Sequence, residues 1–475
     1  MTEERTYLEL SEDAGSAHKF YEVVVSGLNV SVSFGRIGAP GQERVSSFDT
    51  PQKARAAAQQ KINQKLRKGY EPAQRGVRQA RSISRRTMTS ARSGAKQAPV
   101  LWRFDSGAAA FGIHIDDDRC MVGNERGDIY TVTHTGEVVG QFRLPDGVKC
   151  LVSDDFWLYA GCDDGRVYDL SGKVPRVAYE ISADVDIFWL DVDDAILGVS
   201  DRKGRVTAID HEDEFQWARD VNGNDAWMVR CDADAVYHGH SKGVARYRAT
   251  DGTPMWKTDV HGNVLFGWQE SESVYAGTGA GDVIRLAKAD GMIQARYRCD
   301  SSVYSCATSP EGKFVFAGDD RSSIYCFDEH GERLWKLGTG CGSAFSMQYH
   351  DERVYIVTTS GALACIDASP TAIKAAQSGQ VPTANTVKAP PTLAPVAPSV
   401  ELEVTSDSSG GVVVECVQEG LKLRVRAVST GYESSWNVQF PKEVREPGAR
   451  YLVDGLRSSG RGGFYRSYGE IRRLR

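Results

Sequence analysis

The side chains whose types and spacing could do chemistry gather near the start of this 475-residue chain. Phe34, Gly35 and Arg36 set an aromatic ring two residues from a guanidinium, and Lys65 and Lys68 follow on a cationic segment. Cations at this density could meet phosphates, which is the chemistry of nucleic-acid binding. Arg85 and Arg86 belong to residues 73–97, which carry seven cations and no acid. Such a tether adds salt-dependent affinity for phosphates without reading sequence. Each feature has a plainer alternative. Phe34 can pack inside a sheet, Arg36 can pair locally, the cationic helix can be a solvated face, and the tether can dock on an acidic surface. His238 and His240 stand two apart, so strand alternation can put both on one face, as a metal would need. They also fall at a hairpin, where surface histidines are ordinary. Enzyme signatures are missing from the sequence: no GxGxxG before a helix, no P-loop, no HExxH and no GxSxG. The expectation is a non-enzymatic protein with no cofactor and no metal.

The elements that must position Phe34 and Lys65 form an α+β unit over residues 1–72. Tyr7–Leu10, Lys19–Val25 and Val30–Phe34 read as strands, and Pro51–Leu66 as an Ala-rich helix with Asp49 or Thr50 as N-cap and Gly69 as its stop. Lys19-Phe20-Tyr21, Phe34-Gly35-Arg36-Ile37-Gly38, Gly41-Gln42, Phe48, Ala54 and the run from Lys65 to Lys68-Gly69-Tyr70 occur in that order. Together they resemble the WGR domain of some poly(ADP-ribose) polymerases and of various bacterial proteins. The resemblance implies binding to DNA at strand breaks, with Phe34 as the stacking residue and Arg36 as the phosphate or relay residue. Phe stands where the family has the Trp of its name. Nothing resembles the polymerases' catalytic domain, so ADP-ribosylation would have to come in trans.

Beyond the unit, one phrase recurs seven times between Gly123 and Gly361, ending at Gly127, Gly165, Gly204, Gly243, Gly281, Ser322 and Gly361. Short apolar runs flank each phrase. A period near 40 with two strands around a Gly-rich hairpin is how a β-propeller reads in sequence. Six outer strands follow seven hairpins, and Leu101-Trp102-Arg103-Phe104 upstream has the character of the missing one. The N-terminal segment is therefore expected to close a seven-bladed ring over 98–375, leaving no free edge. The Trp-before-basic pattern resembles the pyrroloquinoline-quinone-type repeats more than the WD family. Quinone oxidation is set aside because such enzymes are typically exported and the acidic, polar start reads as no secretory signal.

Charge divides the same way. Residues 1–103 balance at +9, the propeller at −18 and residues 376–475 at +3, within an overall −6. An acidic ring repels nucleic acid, and the basic start attracts it. Ten cysteines without a CxxC pair fit free thiols in a reducing cytoplasm, and no run is long enough to span a membrane. Residues 376–399 read as a Pro/Ala-rich spacer. Residues 400–475 read as a small β-rich domain whose end interleaves aromatics with arginines, suiting either single-stranded nucleic acid or an amphipathic strand. The chain is thus expected to be mainly β, with three modules in a cytoplasmic adaptor. DNA is expected on the N-terminal region and an unknown protein partner on the propeller. The alternative is a protein-only scaffold, by analogy with bacterial chains that join such modules to partner ATPases in stress and defence systems.

Overall fold

The computed structural model describes residues 4–11, 18–36, 41–72, 83–84, 91–155, 157–183, 185–380 and 393–475. At the N-terminus, β1 (Glu4–Ser11), β2 (His18–Ser26), β3 (Asn29–Arg36), β4 (Gln42–Ser47) and β5 (Glu71–Pro72) form an antiparallel sheet ordered β4-β3-β2-β1-β5. Alternation along β2 and β3 sends Tyr21, Val23, Val25, Val30 and Val32 to one face. There they bury Ala54 and Ala58 of α1 (Pro51–Leu66). Alanines at these positions let the helix lie close to the sheet. Thr50 is the N-cap, its Oγ1 accepting from the Lys53 N–H at 3.2 Å. Thr50→Ala should cost about 1 kcal/mol of local stability. Faster hydrogen exchange at the Lys53 amide would register the loss, and an unchanged rate would contradict it.

Among the described residues, seven four-stranded antiparallel sheets follow. The last is ordered Ala344–His350, Arg353–Thr358, Ala362–Asp367 and then β6 (Val100–Asp105), which pairs Phe104 with Leu363 and Trp102 with Cys365. The N-terminal segment thus supplies the outer strand that the repeat lacks. The hairpin glycines are required by their backbones: Gly127 has φ +87°, and a Cβ there would lie 2.5 Å from the Leu144 carbonyl oxygen. Outer-strand aromatics join neighbouring sheets. The indole N–H groups of Trp102, Trp217 and Trp256 donate at 2.8 Å to the carbonyls of His134, Ala249 and Lys288, each in the next sheet. The Tyr297 hydroxyl donates in the same way to Glu329. These residues therefore hold the ring together by hydrogen bonds as well as by packing.

The C-terminal module is a curled sheet of Glu403–Thr405, Val412–Glu419, Lys422–Ala427, Asn437–Gln439, Arg450–Ser458 and Phe464–Leu474. Pairing of its last two strands closes it into a small barrel around Val414, Val425, Val438, Phe440 and Tyr451. Neither linker end is detached from the propeller. Val396 of the spacer bridges Phe142 on the outer strand of the first sheet, exchanging backbone bonds of 2.9 and 3.0 Å with Gln141 and Arg143. Gln97 bridges Gly338 of the sixth sheet. All ten cysteines are free thiols, and nine of them are buried.

Candidate nucleic-acid interface

Of the predicted residues, Phe34 and Gly35 lie at the open end of the β2–β3 hairpin, with Lys65 in the last turn of α1 and Lys68 just beyond it. Register places Phe34 opposite Tyr21, Gly35 opposite Phe20 and Arg36 opposite Lys19. Phe34 is half-buried on the helix-facing side. Its ring is tilted against Tyr21 at 6.2 Å, with the Arg44 guanidinium 5.2 Å from its centroid. Lys65 reaches over two more rings, with Nζ 4.4 Å from Tyr21 and 4.8 Å from Tyr70. The result is an aromatic floor of Phe34, Tyr21 and Tyr70 carrying two cations, which cation–π attraction holds in place.

Burial lowers the pKa of the Lys65 ammonium, and the charges of Lys68 and Lys19 lower it further. Three cations crowd one edge, a field that an incoming anion would relieve. Lys68 is exposed just beyond the helix. Gly35 has a packing role: a Cβ there would sit 2.7 Å from the Gly41 Cα, so glycine is what lets the two arms of the β3–β4 turn close. Arg36 ends β3. Arg85 and Arg86 lie outside the described residues. Tyr21, Arg44 and Tyr70 were not singled out as site residues by the sequence reasoning. Cross-strand register was the signal that could have found Tyr21.

Residues 4–77 match the WGR domain. The aromatic floor and the cation cluster therefore belong to the WGR domain, and all the matched features fall within that span. Residues 240–402 match a second family, described as outer membrane protein assembly factor BamB, and cover the propeller from the fourth sheet through the spacer to the start of the C-terminal module. Among solved structures, the WD40 β-propeller domain of Doa1 is similar at 12% identity and a TM-score of 0.49, over 58% of this chain and 98% of that one. The computationally designed Ika8 protein is similar at 13% identity and a TM-score of 0.46, over 57% and 99%. No curated protein matches the chain.

Two other candidate sites look different in three dimensions. The arginines of the basic C-terminal strand and of the turn before it face carboxylates: Arg466 meets Asp154 at 2.8 Å, Arg461 of the turn meets Asp193 at 2.9 Å, Arg472 meets Asp454 at 2.7 Å and Arg473 meets Glu446 at 2.6 Å. Two of these pairs attach the barrel to the propeller, so the amphipathic-strand alternative describes this strand better than a phosphate-binding one. His238 and His240 are not surface groups as their hairpin position suggested, because both are fully buried. His240 Nδ1 accepts from the Lys242 N–H, which leaves its proton on Nε2 and unsuited to a metal. Among the described residues, no group of three or more His, Cys, Asp or Glu is placed to hold a metal. Nor is any described helix long and apolar enough to cross a membrane.

Proposed function

We propose that the chain is a non-enzymatic adaptor that binds DNA through its WGR domain and offers the propeller to a protein partner. The observation that carries this is the Lys19, Lys65 and Lys68 cluster on a floor of Phe34, Tyr21 and Tyr70 within the matched domain. Phosphate would answer the crowded charge, and the exposed part of half-buried Phe34 is the surface on which a terminal base or sugar can rest. A preference for DNA ends or nicks follows from that placement, since only a terminus exposes a base or sugar face to a flat ring.

Fluorescence anisotropy of the full chain with nicked, blunt and covalently closed DNA at two salt concentrations tests this. Lys65→Ala should weaken binding to all three and reduce the salt slope by about one. Phe34→Ala should weaken nick and end binding selectively, by about 1–3 kcal/mol. Because Phe34 also packs on Tyr21, its melting curve must be taken alongside. Equal losses on closed DNA would remove the stacking role, and no binding at low salt would remove the DNA role altogether. The protein-only scaffold keeps one observation in its favour, the seating of the basic tether on the propeller.

A further inference from the structure

Ser84 of the chain's own tether sits at the mouth of the propeller channel, at the end where the inner strands begin. The Ser84 N–H and Oγ–H donate to the two oxygens of the Asp186 carboxylate at 2.9 and 2.6 Å. Ser84 in turn receives Lys149 Nζ on its carbonyl and an Arg202 N–H on its hydroxyl, both at 3.3 Å. Lys149 is itself buried, fixed by the Ile187 carbonyl at 2.7 Å and by Asp163 at 3.3 Å. Under Ser84 lies a cavity of about 30 Å³ walled by two stacked pairs, Phe111 on Phe345 at 4.4 Å and Phe188 on Trp227 at 3.8 Å. Further along, Ala91 accepts from the Ser322 hydroxyl and Ser93 meets Ser323 at 2.8 Å. The described parts of the tether thus meet the third sheet at Ser84 and the sixth at Ala91 and Ser93, and Ser84 fills a polar and aromatic recess as a bound peptide would.

We propose that this channel mouth is a docking site for an extended, serine-bearing segment, that the tether is its resident occupant, and that DNA capture of the tether uncovers it for a partner. Charge argues for the competition. The tether's seven cations have two possible partners, the −18 propeller and a DNA backbone, and cannot satisfy both at once. A DNA end held at the WGR domain raises the local phosphate concentration beside the segment whose Ser84 bonds Asp186. Thermodynamic coupling is reciprocal, so whatever DNA takes from docking, docking takes from DNA affinity. The inference rests on the DNA reading above, and its test separates the two.

Hydrogen exchange is followed at the Ser84 and Ala98 amides of the full chain, with and without blunt duplex, while anisotropy reports DNA binding. Without DNA, Ser84 should be protected, and Asp186→Ala should abolish that protection with an unchanged melting temperature. Saturating DNA should speed Ser84 exchange at least tenfold and leave Ala98, bonded to the Gly338 carbonyl at 2.8 Å, as it was. Asp186→Ala should bind DNA two- to fivefold tighter. An unprotected Ser84 in the free chain overturns the docking site. A Ser84 rate unchanged in a chain that binds DNA overturns the competition and leaves DNA binding standing. If no DNA binds, the DNA reading itself falls and the switch falls with it, while Ser84 protection still decides whether the mouth is occupied.

Discussion

Arg466→Ala should loosen the barrel from the propeller and cost about 3 kcal/mol, toward the low end of what breaking a buried ion pair costs. The Arg466 side chain is 3% exposed and its partner Asp154 6%. One guanidinium nitrogen meets Asp154 at 2.8 Å and the Tyr159 hydroxyl at 2.9 Å, while Nε donates to Gln439 at 3.1 Å. The plane lies over Trp157, 3.7 Å from the ring centroid. Truncation leaves Asp154 buried, though it still accepts from the Asp194 and Ala195 N–H groups, which is why the cost stays near the lower bound. Arg466→Lys should recover only part of it, since an ammonium cannot both stack on Trp157 and bond three partners. A further anchor between barrel and propeller, Arg445 on Glu212 at 3.1 Å, resists. Burial works against the Glu212 carboxylate, yet Arg445 and Lys442 outweigh it and bring its pKa down to about 2, so this pair stays charged across the physiological range. Thermal melting and exchange at the Trp157 indole, which donates to the Ser467 carbonyl at 3.0 Å, give the readouts. DNA affinity should not move. A variant that melts normally but loses DNA binding would return this strand to the nucleic-acid reading.

How much could be read ahead follows from the range over which each feature is specified. The hairpins were legible because positive φ at Gly127, Gly165 and their equivalents is a local demand that the sequence must meet at every repeat. The closing strand was legible because six outer strands cannot complete seven hairpins, and Trp102 with Phe104 matched the gap. Phe34 and Lys65 could be named as candidates from residue type and order, but their meeting point at Tyr21 could not, because it depends on where α1 crosses the sheet. Ser84 and Asp186 are 102 positions apart, and nothing local marks either as a partner. The same holds for Arg466 and Asp154. A basic strand reads alike whether its arginines await phosphates or already hold carboxylates. Charge complementarity between modules was visible only as net balance, and net balance does not say which residues meet.

Acid should destabilise the chain through a pair of histidines that no local signal marked as buried. Burial, and secondarily His240, pushes His238 down to about 3. Burial, then Lys257 and Lys242 against the opposing pull of Asp259, pushes His240 down to about 4. Their rings lie 5.5 Å apart, with Tyr247 alongside at 6.4 Å from His238. Among the described residues, neither ring nitrogen of His238 has a hydrogen-bond partner, nor does Nε2 of His240, so a proton on either ring would be an uncompensated buried charge. Each pKa is depressed, so between the folded value and 6.5 the unfolded chain binds more protons, and stability falls as pH falls through that window. At 1.36 kcal/mol per unit, one such histidine removes about 2 kcal/mol between neutrality and pH 5. His211, lowered chiefly by burial, acts in the same direction. Asp191 acts in the opposite one: burial raises it to about 6, and its contribution is lost as pH rises through the range from 3.8 to 6. Glu212 does not yet weigh in, because its stabilisation fades only below its ordinary value of 4.5. His238→Leu should therefore melt close to wild type at pH 7.5 and above it at pH 5, removing one titration and two unpartnered nitrogens together. Melting curves that fall in parallel for both proteins would mean that His238 is not held neutral by its burial.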